Sequence, residues 1–243
     1  MIQLAVETIG SAGALAILKG KEPLRVFRLP ESQRAAQSFA VELDQLIRWS
    51  ETVLGKLPDY LSVAVGPGSF TGLRIGITAA KMLGFALNVP IVPVGSLAAI
   101  ATAEAFRLEQ IRSTTNPPAC LVGLNAFRGQ VFSARYSMDE LRLNALRRDF
   151  NRGDSGGNPG KQWTERPKAI SRELWAEQSR LAAEEGVAVL YGQDPERDDV
   201  IGVGLLAAGL VDVRGLEDAS VSPFDLTAHY VKRSAAEEKV AGH

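Results

Sequence analysis

Residues 66–76 read GPGSFTGLRIG, four glycines and a proline set between two apolar runs. A glycine-rich turn that opens a helix is a common phosphate cradle, because the first backbone N–H groups of the helix point at the ligand. This stretch matches neither standard loop. A P-loop needs G-x-x-x-x-G-K-[ST], with lysine on the phosphates and the hydroxyl on magnesium, whereas Leu73 and Arg74 follow Gly72 here. A dinucleotide fingerprint needs G-x-G-x-x-G, and GPGSFTG has one residue too many before its last glycine. Ser69 and Thr71 can assist an anion at the turn or, equally, cap the helix behind it, and the sequence favours the cap.

That helix explains the later glycines better. Gly72, Gly76, Ala80 and Gly84 recur every four residues, forming one ridge almost free of side chains. A glycine inside a helix costs about 1 kcal/mol relative to alanine, and small residues along a ridge let a second backbone approach closely. Leu73, Ile75, Ile77, Ala79, Met82, Leu83 and Phe85 occupy other faces, and Arg74, Thr78, Lys81 and Asn88 make only a narrow polar stripe. A helix apolar nearly all round is buried on more than one side. It lies either in the middle of one domain or between the domain and a partner.

Outward from this stretch, IQLAVET (2–8), GALAILKG (13–20) and PLRVFRL (23–29) read as three strands of an antiparallel meander. Apolar residues near the helical period predict a helix over about 32–54, and 60–65 predicts a fourth strand. After the glycine-ridge helix, PIVPVG is a fifth strand and SLAAIATAEAF a helix with Ser96 as its N-cap. Strands and helices in this order make an α/β lobe with a mixed sheet over residues 1–104. A smaller lobe follows over 105–243. There ACLVGLNA and GQVFSARYS pair across FRG, GVAVLYG is a strand, and DVIGVGLLAAGLV is a short apolar helix. Residues 147–168 are polar and glycine-rich, an exposed insertion. The tail VSPFDLTAHYVKRSAAEEK ends in polar, frayed residues. The two halves read as distant copies of one topology.

The 243 residues are 46% hydrophobic and 23% charged with a formal net charge of −1, so no basic field marks a direct nucleic-acid binder. That charge still leaves room for RNA as a substrate of a complex in which another subunit supplies the positive charge. One cysteine, Cys120, excludes a disulfide framework within the chain. The N-terminal MIQLAVETIG has no basic n-region or long apolar h-region, and no uncharged apolar run reaches the roughly 18 residues of a membrane span. A cytoplasmic protein is expected. The only histidines are His229 and His243, which leaves little for a metal site or a histidine-based nucleophile system, and no G-x-S-x-G is present. No catalytic residue, cofactor site or metal ligand is therefore assigned. Glu7, at the end of the first strand, either positions a metal–nucleotide or caps a hairpin.

GPGSFTGLRIG resembles the hallmark stretch of the bacterial TsaB (YeaZ) family, the dimerization subunit for tRNA threonylcarbamoyladenosine synthesis. AVETIGSAGALAIL resembles that family's opening strand, acidic turn and second strand, and KMLGFALNVPIVPVGSLAAIA its following helix and strand. LNAFRGQVFSARY is similar to its DARRGEVY hairpin, and AHYVKRSAAEEK to its ending. The resemblance covers both halves in order, with the insertion at 147–168 unmatched. The resemblance implies an actin-like (ASKHA, ribonuclease H-like) fold with two lobes of mixed sheets flanked by helices. It implies a non-catalytic scaffold that pairs with TsaD, the paralogue that transfers the threonylcarbamoyl group to the tRNA adenosine beside the anticodon. TsaE, an ATPase, joins them, and a homodimer is an alternative pairing.

The chain departs from the family pattern at three places. Glu7 stands where aspartate is usual, Asn125 and Phe127 replace Asp and Arg in the hairpin, and Gln37 lies where an early helix histidine is often found. The expectation is a docking helix over 72–88, with Gly72, Arg74, Gly76, Ala80, Lys81 and Gly84 at the partner interface. The rival expectation is an ATP-dependent actin-like kinase using Glu7 and the 66–71 turn.

Overall fold

The computed structural model describes residues 1–9, 13–29, 35–111, 117–142, 167–192, 194, 197–229 and 231. The apolar run Ile2–Glu7 forms β1, paired antiparallel with β2 (Ala14–Lys19), which pairs with β3 (Glu22–Arg28). Helix α1 (Ala35–Leu54) then leads to β4 (Tyr60–Ala64), which lies parallel to β1 with Gln3 opposite Tyr60. Helix α2 (Phe70–Leu87) connects β4 to the parallel strand β5 (Ile91–Val94), completing a sheet of order β3-β2-β1-β4-β5. Every residue of β1, β4 and β5 is buried. This is why they read as mostly apolar runs, interrupted by Gln3, Glu7 and Ser62, rather than alternating ones: both sheet faces are covered.

Helix α3 (Ser96–Gln110) carries the chain to the antiparallel pair β6 (Ala119–Asn125) and β7 (Gln130–Ser137). A short α4 (Met138–Arg142) follows, and later β8 (Lys168–Ser171) pairs with β7. Helix α5 (Arg172–Glu184), strand β9 (Ala188–Tyr191), helix α6 (Asp199–Arg214) and α7 (Leu216–Ala219) complete the described elements. The second sheet has order β8-β7-β6-β9, with β9 parallel to β6. It repeats the first without a fifth strand, so the two halves do share one topology, that of the actin-like fold. The α2–β5 unit has no counterpart among the described residues of the second half.

The layers follow from strand alternation. On one face of the first sheet, Gln3 Nε2 donates to the Gly204 carbonyl at 2.9 Å and Ser62 Oγ donates to Gln3 Oε1 at 2.8 Å, placing α6 there. On the opposite face Gly76 and Gly84 of α2 meet Thr8 and Ile91. In the second sheet Cys120, Val122 and Leu124 point into the shared core, while Gly123 lies against the Trp175 ring of α5. The α3–α6 pair is thus sandwiched between the two sheets. A β-carbon on Gly202 would overlap the Ala99 carbonyl oxygen, so glycine is what lets these two helices cross so closely. Helix α6 is buried throughout Asp199–Val211, as an apolar helix with no polar face requires. Burial pushes the Cys120 thiol up to about 12, so it stays protonated in the core.

Several expectations need correction. The boundary between 104 and 105 falls inside the unbroken α3, and α6, assigned to the smaller lobe, covers the first sheet. Ser96 is not the N-cap: Gly95 is, and the Ser96 hydroxyl is buried without a hydrogen-bond partner. Residues 147–166 of the insertion lie outside the described residues, while Lys168 already belongs to β8. The strand β8 and the helix α5 are additional to the elements expected. The polar end of the tail expected to fray, 232–243, lies outside the described residues; before it, Leu226 is only 1% exposed and anchors the segment 221–229.

Two ion pairs tie chain segments together. Arg197 Nε donates to Asp199 Oδ1 and Nη2 to the Gly192 carbonyl, both at 2.7 Å, pinning the start of α6 to the end of β9. At the N-terminus Ile2 N donates to Asp59 Oδ2 at 2.6 Å, and Lys56 Nζ reaches both carboxylate oxygens. Burial pushes the Asp59 carboxyl up, but the Lys56 hydrogen bond, the Ile2 N–H and the nearby positive charges together hold it below its ordinary value. A depressed carboxyl stabilises fully above the unfolded value of about 3.9 and loses that contribution as pH falls through the folded value. Asp59→Asn is therefore expected to lower the denaturation midpoint at pH 7 more than at pH 3. Equal losses at both pH values would refute the assignment.

Candidate docking surface

The turn at 66–71 is filled from within. A β-carbon on Gly68 would overlap the Ile9 side chain, and one on Gly66 would lie 2.5 Å from the His229 carbonyl oxygen. Gly66 also has φ +121°, a conformation that favours glycine. Ser69 Oγ accepts from Gly72 N at 3.3 Å and is the N-cap of α2, whereas Thr71 is exposed in its first turn. Glu7 is buried, and its Oε1 accepts the Ile9 N–H two residues on. The carboxylate closes the local turn, which is the hairpin-capping role. Thr8 Oγ1 in turn donates to the Gly72 carbonyl at 2.7 Å. The glycines of this stretch serve close approach of the chain to itself.

The same holds for the ridge, and this corrects the sequence expectation. Gly72, Gly76, Ala80 and Gly84 are all buried on the inner side of α2. A β-carbon on Gly72 would overlap the Thr8 carbonyl oxygen and one on Gly76 the Thr8 hydroxyl. One on Gly84 would lie 2.9 Å from both Ile91 Cδ1 and Pro223 Cγ. Gly72 and Gly76 admit the end of the chain's own β1 and Gly84 admits Ile91 and Pro223, so no partner helix can occupy the ridge.

The outward side of α2 is what is left for a partner. Arg74 is exposed and Lys81 half-buried, and around them Phe70 is 42%, Met82 67% and Phe85 69% exposed. The Arg74 guanidinium lies 4.4 Å from the centre of the Phe70 ring, a cation–π contact that holds both at the surface. Met82 and Phe85 were grouped by sequence with the buried apolar residues, because apolarity alone does not say which side of a helix the sheet covers. One signal was legible: no Asp or Glu occurs between Asp59 and Glu104, so Arg74 and Lys81 are the only charged residues of this helix. By length and apolarity α2 could cross a membrane, the one such helix among the described residues. Its inner side is instead packed on the sheet.

Elsewhere, Asn125 Oδ1 accepts the Phe127 N–H at 2.9 Å, so the carboxamide shapes the tip of the β6–β7 hairpin. Among the described residues, no group of three or more His, Cys, Asp and Glu converges on a point that could hold a metal ion. His229 sits beside the turn, its N–H donating to the Val65 carbonyl at 2.7 Å. His243 lies outside the described residues.

Comparison with known proteins adds the following. Residues 32–213 match a family model described as TsaD, tRNA N6-adenosine threonylcarbamoyltransferase. The chain is 27% identical over 139 residues to the tRNA threonylcarbamoyladenosine biosynthesis protein TsaB of Haemophilus influenzae, covering 57% of this chain and 55% of that one. It is 40% identical over 89 residues to the Bacillus subtilis protein of the same name, covering 37% of this chain and 35% of that one. The chain therefore spans about half the length, or less, of these curated relatives. The solved structure of YeaZ from Pseudomonas aeruginosa superposes with a TM-score of 0.61 at 20% identity, covering 94% of this chain and 99% of that one. At that identity the superposition speaks for the fold.

Proposed function

Because this chain belongs to the TsaB (YeaZ) family, we propose that it is a non-catalytic scaffold subunit of a cytoplasmic tRNA-modifying complex. It docks on a TsaD-like paralogue and supports that paralogue's transfer of a threonylcarbamoyl group to the tRNA adenosine beside the anticodon. A TsaE-like ATPase completes the complex, and the free chain can pair with a second copy of itself through the same face. The observation that carries this reading is the outward face of α2, a helix whose only charged residues are two cations and whose large apolar side chains stay in water. Such a patch on a soluble surface marks an interaction site. The tRNA is contacted only within the complex, in keeping with a net charge of −1.

The kinase alternative is not favoured. Its acid, Glu7, is engaged with the Ile9 N–H, and its phosphate turn is occupied by Ile9 and His229. The test is reconstitution of tRNA threonylcarbamoylation with the TsaD-like and TsaE-like proteins, together with calorimetry of the isolated chain against ATP. Modification is expected to require this chain, and the chain alone is expected to bind no ATP at 100 μM and to modify no tRNA. Modification proceeding equally without it, or ATP binding by the isolated chain, would overturn the proposal.

A further inference from the structure

The segment after α7 returns to the first sheet and ends beside α2. Ile91 N donates to the Val221 carbonyl at 3.1 Å and Val221 N to the Ile91 carbonyl at 2.8 Å, adding one antiparallel bridge to the edge of β5. Pro223 then covers Gly84, Leu226 is buried, and His229 N donates to the Val65 carbonyl. Between these anchors the chain makes a tight turn: Phe224 N donates to Ser222 Oγ at 3.1 Å and Asp225 N to the Ser222 carbonyl at 3.0 Å. The turn holds Phe224 outward, 76% exposed, with its ring edge-on to Phe85 at 5.9 Å. Anchors on both sides already fix the segment. An aromatic ring left three-quarters in water adds little to its stability, because burial is what makes such a ring stabilising.

We infer that this tail turn is part of the partner-binding surface, with Phe224 as an aromatic anchor continuous with Phe85 and Met82. The inference rests on the proposed docking through α2. Charge complementarity specifies the occupant. Arg74 and Lys81 are the only charged residues of the helix, and the turn adds the exposed Asp225 next to Phe224. The composite surface is apolar in the middle, with cations on α2 and a carboxylate on the tail. It fits an actin-fold paralogue that presents an apolar helix with carboxylates toward Arg74 and Lys81 and a cation toward Asp225. Exposed aromatic anchors at the centre of an interface are where binding energy concentrates.

The test measures affinity for the TsaD-like paralogue by calorimetry, with full-length chains and melting temperatures recorded alongside. Phe224→Ala is expected to weaken pairing at least 10-fold while the melting temperature of the free chain stays within about 2 °C, as for an exposed surface substitution. Phe127→Ala, an exposed aromatic on the other sheet, is expected to change nothing. Hydrogen exchange of the Ser222, Phe224 and Asp225 amides in the unmodified chain is expected to slow on pairing, a readout that does not depend on how the variant folds. If Phe224→Ala pairs as tightly as the parent, or those amides are unaffected, the tail inference fails. Weakening by Arg74→Glu with Phe85→Ala would then leave docking through α2 standing. If that double variant also pairs normally, or the parent does not pair, the docking proposal fails and the tail inference with it.

Discussion

Gly72→Ala is expected to lower the melting temperature by roughly 6–12 °C, corresponding to a loss of about 3 kcal/mol for a chain of this size. The sign of the effect is the informative part. By helix propensity alone, alanine at a helix position is favoured over glycine by about 1 kcal/mol. Opposing this, the added methyl would overlap the carbonyl oxygen of Thr8, a backbone atom at the end of β1 that has no rotamer to escape into. Relief would require moving α2 off the sheet, which disrupts the Thr8 Oγ1 hydrogen bond to the Gly72 carbonyl. Gly202→Ala is expected to act likewise, because its methyl meets the Ala99 carbonyl oxygen of α3. Thermal unfolding followed by circular dichroism reads both. An unchanged or raised melting temperature for Gly72→Ala would mean that α2 does not lie on β1 as described.

The second large effect is expected on association rather than on folding. Arg74→Glu combined with Phe85→Ala should weaken pairing with the TsaD-like paralogue at least 100-fold, since two independent interface anchors of about 1.4 kcal/mol or more each multiply to that. The free chain should remain folded, because Arg74 is exposed and Phe85 is 69% exposed with Phe224 as its edge-on neighbour. Charge reversal at residue 74 also places a carboxylate opposite the acids that the proposal assigns to the partner, adding repulsion to lost attraction. The glycines of the ridge would make a poor probe of the same question. Bulky residues at Gly76 and Gly84 would strike Thr8, Ile91 and Pro223, so any loss of pairing would report a damaged fold.

Much of the first half was legible because its strands are short apolar runs cut by turn residues. The helix period of α2 was equally clear. What single-chain patterning could not supply was direction. The glycine ridge was recognised as a place of close approach, yet nothing local to residues 72–84 says that the approaching backbone is Thr8, 64 residues away from Gly72. Met82 and Phe85 look like core by composition and become surface only because the sheet covers the opposite side. The docking of residues 221–229 is not legible for a related reason: its anchors are isolated residues, Val221, Pro223 and Leu226, each packing on a distant element and none making a periodic signal. The strand β8 and helix α5 follow a polar glycine-rich stretch. The strand itself is four edge residues, Lys168–Ser171, too few to display alternation.

The hydrogen bond from Gln3 to Gly204 spans 201 residues of sequence, and it has a consequence for how this chain is made. The first strand leaves the ribosome long before the helix that covers it. At a synthesis rate of about 5–20 residues per second, the face of the sheet that carries Gln3, Leu18 and Ser62 stays uncovered for roughly 10–40 seconds. During that time the N-terminal sheet lacks the helix that covers one of its faces. Contacts of such high sequence separation also place this chain among the slower folders, because loop closure precedes the reward. Strand order divides the fold into two sheets, whereas synthesis must pass Gly204 before the first sheet has the helix that completes its core.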